Sequence, residues 1–168
     1  MFEVGAYVMY GTFGVYSVEG IRNSPIDKND TRLFYELKPL RNGENSKAFV
    51  PADSEHVFIR PVMTREVAER FVGEELPVAE VMEITNERER KNAYRMAIGD
   101  HTPLSCARII RTVAQRRRQL VGSSRRLPDT DAEFEREAKH NLFGELSVAL
   151  GIPFENVEEY IMKCCGEA

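Results

Sequence analysis

The sequence predicts an α+β chain, with a small all-β module first and a compact helical one after it. Two observations carry this. Up to about Arg60 the residues form short aromatic and β-branched runs separated by turn formers, with no helical period. Beyond Pro61 the apolar residues recur at the three- and four-residue spacing of helices, with capping residues before the runs and glycines after them. A chain of 168 residues holds two small domains, assigned here to 1–61 and 62–168.

In the β module, Tyr7-Val8-Met9-Tyr10 and Val15-Tyr16-Ser17-Val18 flank Gly11-Thr12-Phe13-Gly14, which predicts a hairpin. Arg22 to Thr31 reads as a polar loop because Pro25, Asp27, Asn29 and Asp30 are turn formers. Further strands are expected over Leu33–Leu37, Lys47–Val50 and Val57–Arg60, with a turn at Asn42-Gly43. Five short strands imply a small twisted or barrel-like sheet, whose edges suit pairing with another protein's strand.

The helical module is expected to begin with a helix capped by Thr64 and stopped by Gly73, followed by a linker over Glu74–Pro77. Asn86 caps a second helix, running to Ala97 and ended by Gly99; it carries Arg88, Arg90, Lys91 and Arg95 among acids. Asp100 or Thr102 caps a third, with Pro103 in its first turn and Gly122 after its end. Thr130-x-x-Glu133 has the form of a capping box opening a fourth helix, in which Phe134, Ala138, Leu142, Leu146 and Ala149 share a face and Gly151 follows the end. A final helix from Pro153 is expected to turn Phe154, Val157, Ile161 and Cys164 inward, with Tyr160 alongside.

Charge is unevenly spread. The formal net charge is -4, yet no Asp or Glu lies between His101 and Leu127, where Arg108, Arg111, Arg116, Arg117, Arg118, Arg125 and Arg126 fall. On a helix Arg108, Arg111, Gln115 and Arg118 share one face, opposite Cys106, Ile109, Ile110, Val113 and Leu120. Solvated faces usually mix signs in i,i+4 pairs. Unopposed arginines therefore point either to a polyanion such as nucleic-acid phosphate or to neutralisation by acids elsewhere in the chain, which crowd the last forty residues.

Other chemistries find little support. Cys106, Cys164 and Cys165 suit reduced thiols in the cytoplasm, and His56, His101 and His140 lack zinc-ligand spacing, so no metal is expected. Gly5, Gly11, Gly14 and Gly20 precede no helix and match no phosphate-binding fingerprint. Ser105 has no histidine at nucleophile-base spacing, and the carboxylate pairs lie in charged runs. No enzymatic activity, cofactor or small-molecule substrate is expected. No apolar run approaches the ~20 residues of a membrane helix, and no signal peptide precedes the first strand.

The opening FEVGAYVMYGTFGVYSVEGI, the later AFVPAD, the IGD before the arginine-rich helix and DTDAEFEREAKHNLFGELSVALGI together resemble the CarD family of bacterial transcription regulators, in order and separation, over almost the whole chain. The resemblance implies a Tudor-like N-terminal module that binds the β subunit of RNA polymerase. It also implies a helical domain that contacts promoter DNA beside the melted bubble and stabilises the open complex without reading sequence. The polymerase contact would fall on Leu33, Tyr35, Leu37, Lys47 and Phe49; well-known members offer a positive side chain where Phe49 stands. Members also place a tryptophan wedge before the first basic helix. This chain has none, and the matching position falls near Glu83, so Met82 or Ile84 would have to substitute. The phosphate contacts would be Arg88, Arg90, Lys91, Arg108, Arg111, Arg116, Arg118, Arg125 and Arg126. The alternative is a protein adaptor that never touches DNA, with its arginines covered by the chain's own acids. A similar β module occurs in transcription-repair coupling factors, which makes contact with a repair helicase a related alternative.

Overall fold

The structure, a computed structural model, describes residues 1–25, 27, 29–41, 46–54 and 57–166. The Asn42-Gly43 turn and His56 lie outside the described residues. The chain divides into two compact units, Met1–Val62 and Met63–Ala168.

The first unit is a five-stranded antiparallel sheet of β1 (Tyr7–Tyr10), β2 (Gly14–Asn23), β3 (Leu33–Pro39), β4 (Ala48–Pro51) and β5 (Ile59–Pro61), in the order β4-β3-β2-β1-β5. Tyr10 pairs with Gly14 across the β1–β2 turn, where Gly11 and Gly14 hold φ of 50° and 101°, a region open to glycine at little cost. β2 extends to Asn23, five residues beyond the run expected from its apolar content, because its second half is held by pairing with β3 down to Asn23↔Leu33. The register slips between Val18 and Gly20, leaving Glu19 as the extra residue of a bulge. Tyr35 and Leu37, two residues apart, both enter the core beside Val8, Val18 and Val50, and the Tyr35 hydroxyl accepts from the Phe2 amide at 2.9 Å. Glu36, on the other face of β3, is buried at 3 % exposure and closed over by Arg22 from β2 and Lys47 beside β4.

The second unit holds α1 (Arg65–Arg70), α2 (Glu87–Gly99), α3 (Pro103–Gln119), α4 (Asp129–Leu150) and α5 (Phe154–Cys165). Three hydroxyl or amide side chains act as anticipated from their positions. Thr64, Asn86 and Thr102 accept from the amides of Val67, Glu89 and Ser105. The core gathers Phe71, Tyr94, Ile109, Leu142, Leu146 and Val157, among others. Phe134 packs on Tyr94 with ring centroids 5.4 Å apart. Among the described residues no helix is long and apolar enough to cross a membrane.

Four local expectations fail for identifiable reasons. Gly73 does not stop the first helix: the chain continues through a π-helical turn, Phe71–Glu75, and a 3-10 turn, Leu76–Val78, because Phe71 and Val72 are buried and hold the backbone in place. Gly99 lies within α2, and the left-handed residue that follows is His101, at φ 55°. Thr130 and Glu133 form no capping box, since the extended Pro128 precedes Asp129 at the start of α4 and the Thr130 hydroxyl donates instead to Glu87 at 3.2 Å. Cys164 is exposed, whereas Cys165 turns inward and its thiol donates to the Val72 carbonyl at 3.3 Å.

Because a Cβ on Gly73 would meet no atom within 4 Å and its φ is not positive, Gly73→Ala is expected to raise stability by about 0.5–1 kcal/mol. Urea unfolding checks this; a loss of stability would mean that the turn needs glycine. Gly151→Ala, at φ 67°, should move the midpoint the other way.

Candidate nucleic-acid interface

Helical phase sorts the basic side chains of α2 and α3 into two sets. Arg90 lies one turn before Tyr94 and in phase with Ala97 and Ile98, so it faces the core. It is 1 % exposed. Its guanidinium donates to both oxygens of Asp131 on α4, at 2.8 and 2.9 Å, and to the carbonyls of Ile84 and Thr85 at 3.1 and 3.0 Å. The Tyr94 hydroxyl donates to the same carboxylate at 2.8 Å, and Arg116 Nε approaches it to 3.5 Å. Burial, the largest single influence on Asp131, raises its pKa, but the hydrogen bonds from Arg90 and Tyr94 and the charges of Arg90 and Arg116 together hold it below the ordinary aspartate value. The Asp131 bond raises the Arg90 pKa further, and burial raises that of Tyr94. Arg90 thus cannot be a phosphate contact: all three of its nitrogens are spent inside the unit.

Other members of the arginine run are also engaged. Arg117 is bound by Glu135, one turn after Asp131 on α4, with Nη1 at 3.2 Å. Arg111 donates to the Ala79 carbonyl, and Arg108 Nη2 lies 3.4 Å from Glu80. The run has no acid of its own, yet acids from α4 and from the segment before α2 reach back to it. Of the C-terminal acids expected as possible covers for the arginines, Asp131 and Glu135 make these bridges. Their signal was in the sequence, because both lie in phase with Ala138 and Leu142.

A second set faces outward. Arg88, Lys91 and Arg95 are exposed on α2 at spacings of three and four, which aligns them in one stripe with Asn92. Arg118, Arg125 and Arg126 are exposed at and beyond the end of α3. Arg126 is paired with Asp129 at 3.7 Å, but both side chains are 87 % exposed, and such pairs contribute little and exchange readily. Arg95 was not among the expected phosphate contacts, although its spacing from Arg88 and Lys91 marks it.

The segment between Ala79 and Thr85 lies over α2 and α3. Thr112 fixes it, accepting from the Met82 amide at 2.9 Å while donating to the Arg108 carbonyl at 2.6 Å. Met82 is half-buried and packs against the helical core, Ile84 is half-buried, and Glu83 between them points outward. Neither apolar side chain projects as a free wedge.

In the first unit the expected polymerase contacts also divide. Tyr35 and Leu37 are core residues and have no surface to offer. Leu33 is 42 % exposed, Phe49 is half-buried on the edge strand β4, and the Arg22 guanidinium stands 5.8 Å above its ring. Lys47 lies beside it, tied to Glu36. Phe49 pairs with Glu36 and Arg22 with Phe34, on the face opposite Tyr35 and Leu37, so Arg22 places a positive group at the Phe49 ring; Leu33, in phase with Tyr35, is exposed because it begins the strand.

Residues 2–63 match the family model described as the CarD-like/TRCF RID domain. No curated protein matches the sequence.

Breaking the buried cluster from one side leaves an uncompensated charge. Arg90→Met is expected to cost about 3–5 kcal/mol in urea unfolding of the full chain, and Arg90→Met with Asp131→Leu distinctly less. A near-zero cost for the single change would refute the pairing. Since the Asp131 pKa is lowered on folding, its contribution is complete above the unfolded aspartate value of about 3.9. It is lost as pH falls below that through the folded value, so Asp131→Asn should flatten the acid limb of the stability profile.

Proposed function

We propose that the chain is a transcription regulator, since residues 2–63 match the family model described as the CarD-like/TRCF RID domain. In this reading the sheet unit, a Tudor-like module, binds the β subunit of RNA polymerase. The helical unit rests on promoter DNA phosphates and prolongs the open complex. The match of residues 2–63 to that family carries the reading. The edge strand β4, with Phe49, Arg22 and Lys47 beside it, supports strand addition by the polymerase.

The DNA half is supported by the outward set Arg88, Lys91, Arg95, Arg118, Arg125 and Arg126. Long basic side chains without base-reading neighbours position a protein on a duplex rather than specify sequence. The protein acts without catalysis, in the cytoplasm of a bacterial cell.

One observation favours the second reading, an adaptor that does not contact DNA. Asp131, Glu135 and Glu80 neutralise Arg90, Arg116, Arg117 and Arg108 within the unit. The buried pair is permanent; the Arg108 and Arg126 pairs are exposed enough to open to a phosphate.

If the six outward side chains reach phosphates, log K falls with log salt at a slope of about -5, and Arg88→Glu with Lys91→Glu makes it shallower by about 2. Fluorescence anisotropy with a promoter duplex and with a scrambled one measures this, and both should bind alike. A salt-independent affinity decides for the adaptor. Promoter-opening kinetics with purified polymerase should show a longer bubble lifetime with the wild-type chain than with Phe49→Glu. Equal lifetimes would overturn the regulatory reading.

A further inference from the structure

Two surfaces of the helical unit complement each other in polarity and sign. The first is a trough of about 680 Å³ between the Ala79–Thr85 segment, α2 and the first half of α3. Val81, Met82, Ile84, Ala93 and Met96 supply its apolar lining, and Met96 is 75 % exposed. Its charged lining is three carboxylates, Glu80, Glu83 and Asp100, against the single cation Arg108. The second surface is the turn after α3. There Val121 is 80 % exposed, an aliphatic tip beside the exposed Arg118, Arg125 and Arg126.

An apolar tip ringed by guanidinium groups matches an apolar trough ringed by carboxylates in both polarity and sign. Arg108 marks the trough end of α3 and Val121 follows its other end, thirteen residues on, or about 20 Å at 1.5 Å per residue. We infer that the trough receives the arginine-flanked Val121 turn of a second copy of this chain, giving head-to-tail self-association. The contact is heterologous: an open assembly keeps one unused trough at one end and one unused turn at the other. Its charged rim makes it sensitive to ionic strength, since exposed charges are screened over about 10 Å at 0.1 M salt.

Sedimentation velocity of the full chain tests this, using trough variant Glu80→Lys with Glu83→Lys and turn variant Arg118→Glu with Val121→Asp. All four positions are exposed, so thermal midpoints should stay near wild type. Wild type should form dimers and larger species as its concentration rises in low salt. It should return to monomer in about 0.5 M salt, where the screening length falls to roughly 4 Å. Each variant alone should associate about tenfold more weakly or not at all. Their equimolar mixture should associate at concentrations where each variant alone stays monomeric, because one supplies an intact turn and the other an intact trough. Monomeric wild type at every concentration, association that survives in either variant, or a mixture that stays monomeric would overturn the inference. DNA binding is read separately by anisotropy, so failure here leaves the phosphate reading standing.

Discussion

The carboxylate of Asp131 is the constraint on which the helical unit depends. It lies at the start of α4, is fully buried, and gathers Arg90 and Tyr94 from α2 and Arg116 from α3. An ion of that kind costs several kcal/mol to desolvate and is tolerated only when its lone pairs are filled. The filling fixes how three helices sit. Because Arg90 also donates to Ile84 and Thr85, it fixes the irregular segment that no helix holds. An apolar cluster of equal volume could pack as tightly but would leave the backbone carbonyls of that segment without donors. The wall of the surface trough is thus held from two sides, by Thr112 at Met82 and by the buried Arg90 at Ile84 and Thr85.

Much of the architecture was legible in the sequence because its signals are periodic and local. The five strands, the caps at Thr64, Asn86 and Thr102, and the apolar stripe from Ala138 to Leu146 follow from residue types at fixed offsets. The failures occur where a tertiary contact outweighs a local signal. Gly73 and Thr130 are ordinary stop and cap residues by type, but buried Phe71 and Val72 carry the chain past the first, and Pro128 supplies the extended residue ahead of the second. In the sheet, Tyr35 and Leu37 lie on a strand that resemblance assigned to a partner, yet their period of two, opposite Val50 and Val18 on the neighbouring strands, puts them in the core.

The arginine run shows the same division more sharply. Composition registers seven arginines without a local acid, and helix phase within that run alone separates Cys106, Ile109 and Val113 from the rest. It does not reveal that Asp131 and Glu135 project from a different helix toward it. That information was present in the phase of α4, whose apolar stripe extends backwards through those acids. A carboxylate on an apolar stripe must be paired, since no water reaches it. Taking each acid with the stripe it belongs to, instead of counting it as solvated charge, singles out the partners of Arg90 and Arg117 from helical phase alone.

The consequence for surface electrostatics is that a chain of net charge -4 still offers cationic ground. Arginines that lie in phase with apolar residues carry their counter-ions inside and contribute little outward field. Those out of phase, such as Arg88, Lys91 and Arg95 on α2, owe nothing to the core and project into solvent at one spacing. Acids are exposed too, at Glu87 and Glu89 in the first turn of α2 and at Glu80, Glu83 and Asp100 around the trough. Opposite signs on different parts of one small unit produce a dipolar surface, and such a surface orients an approaching polyanion or a second copy before any contact is made. The total charge of the chain decides its solubility, while the phase of each charged side chain on its helix decides what it can meet.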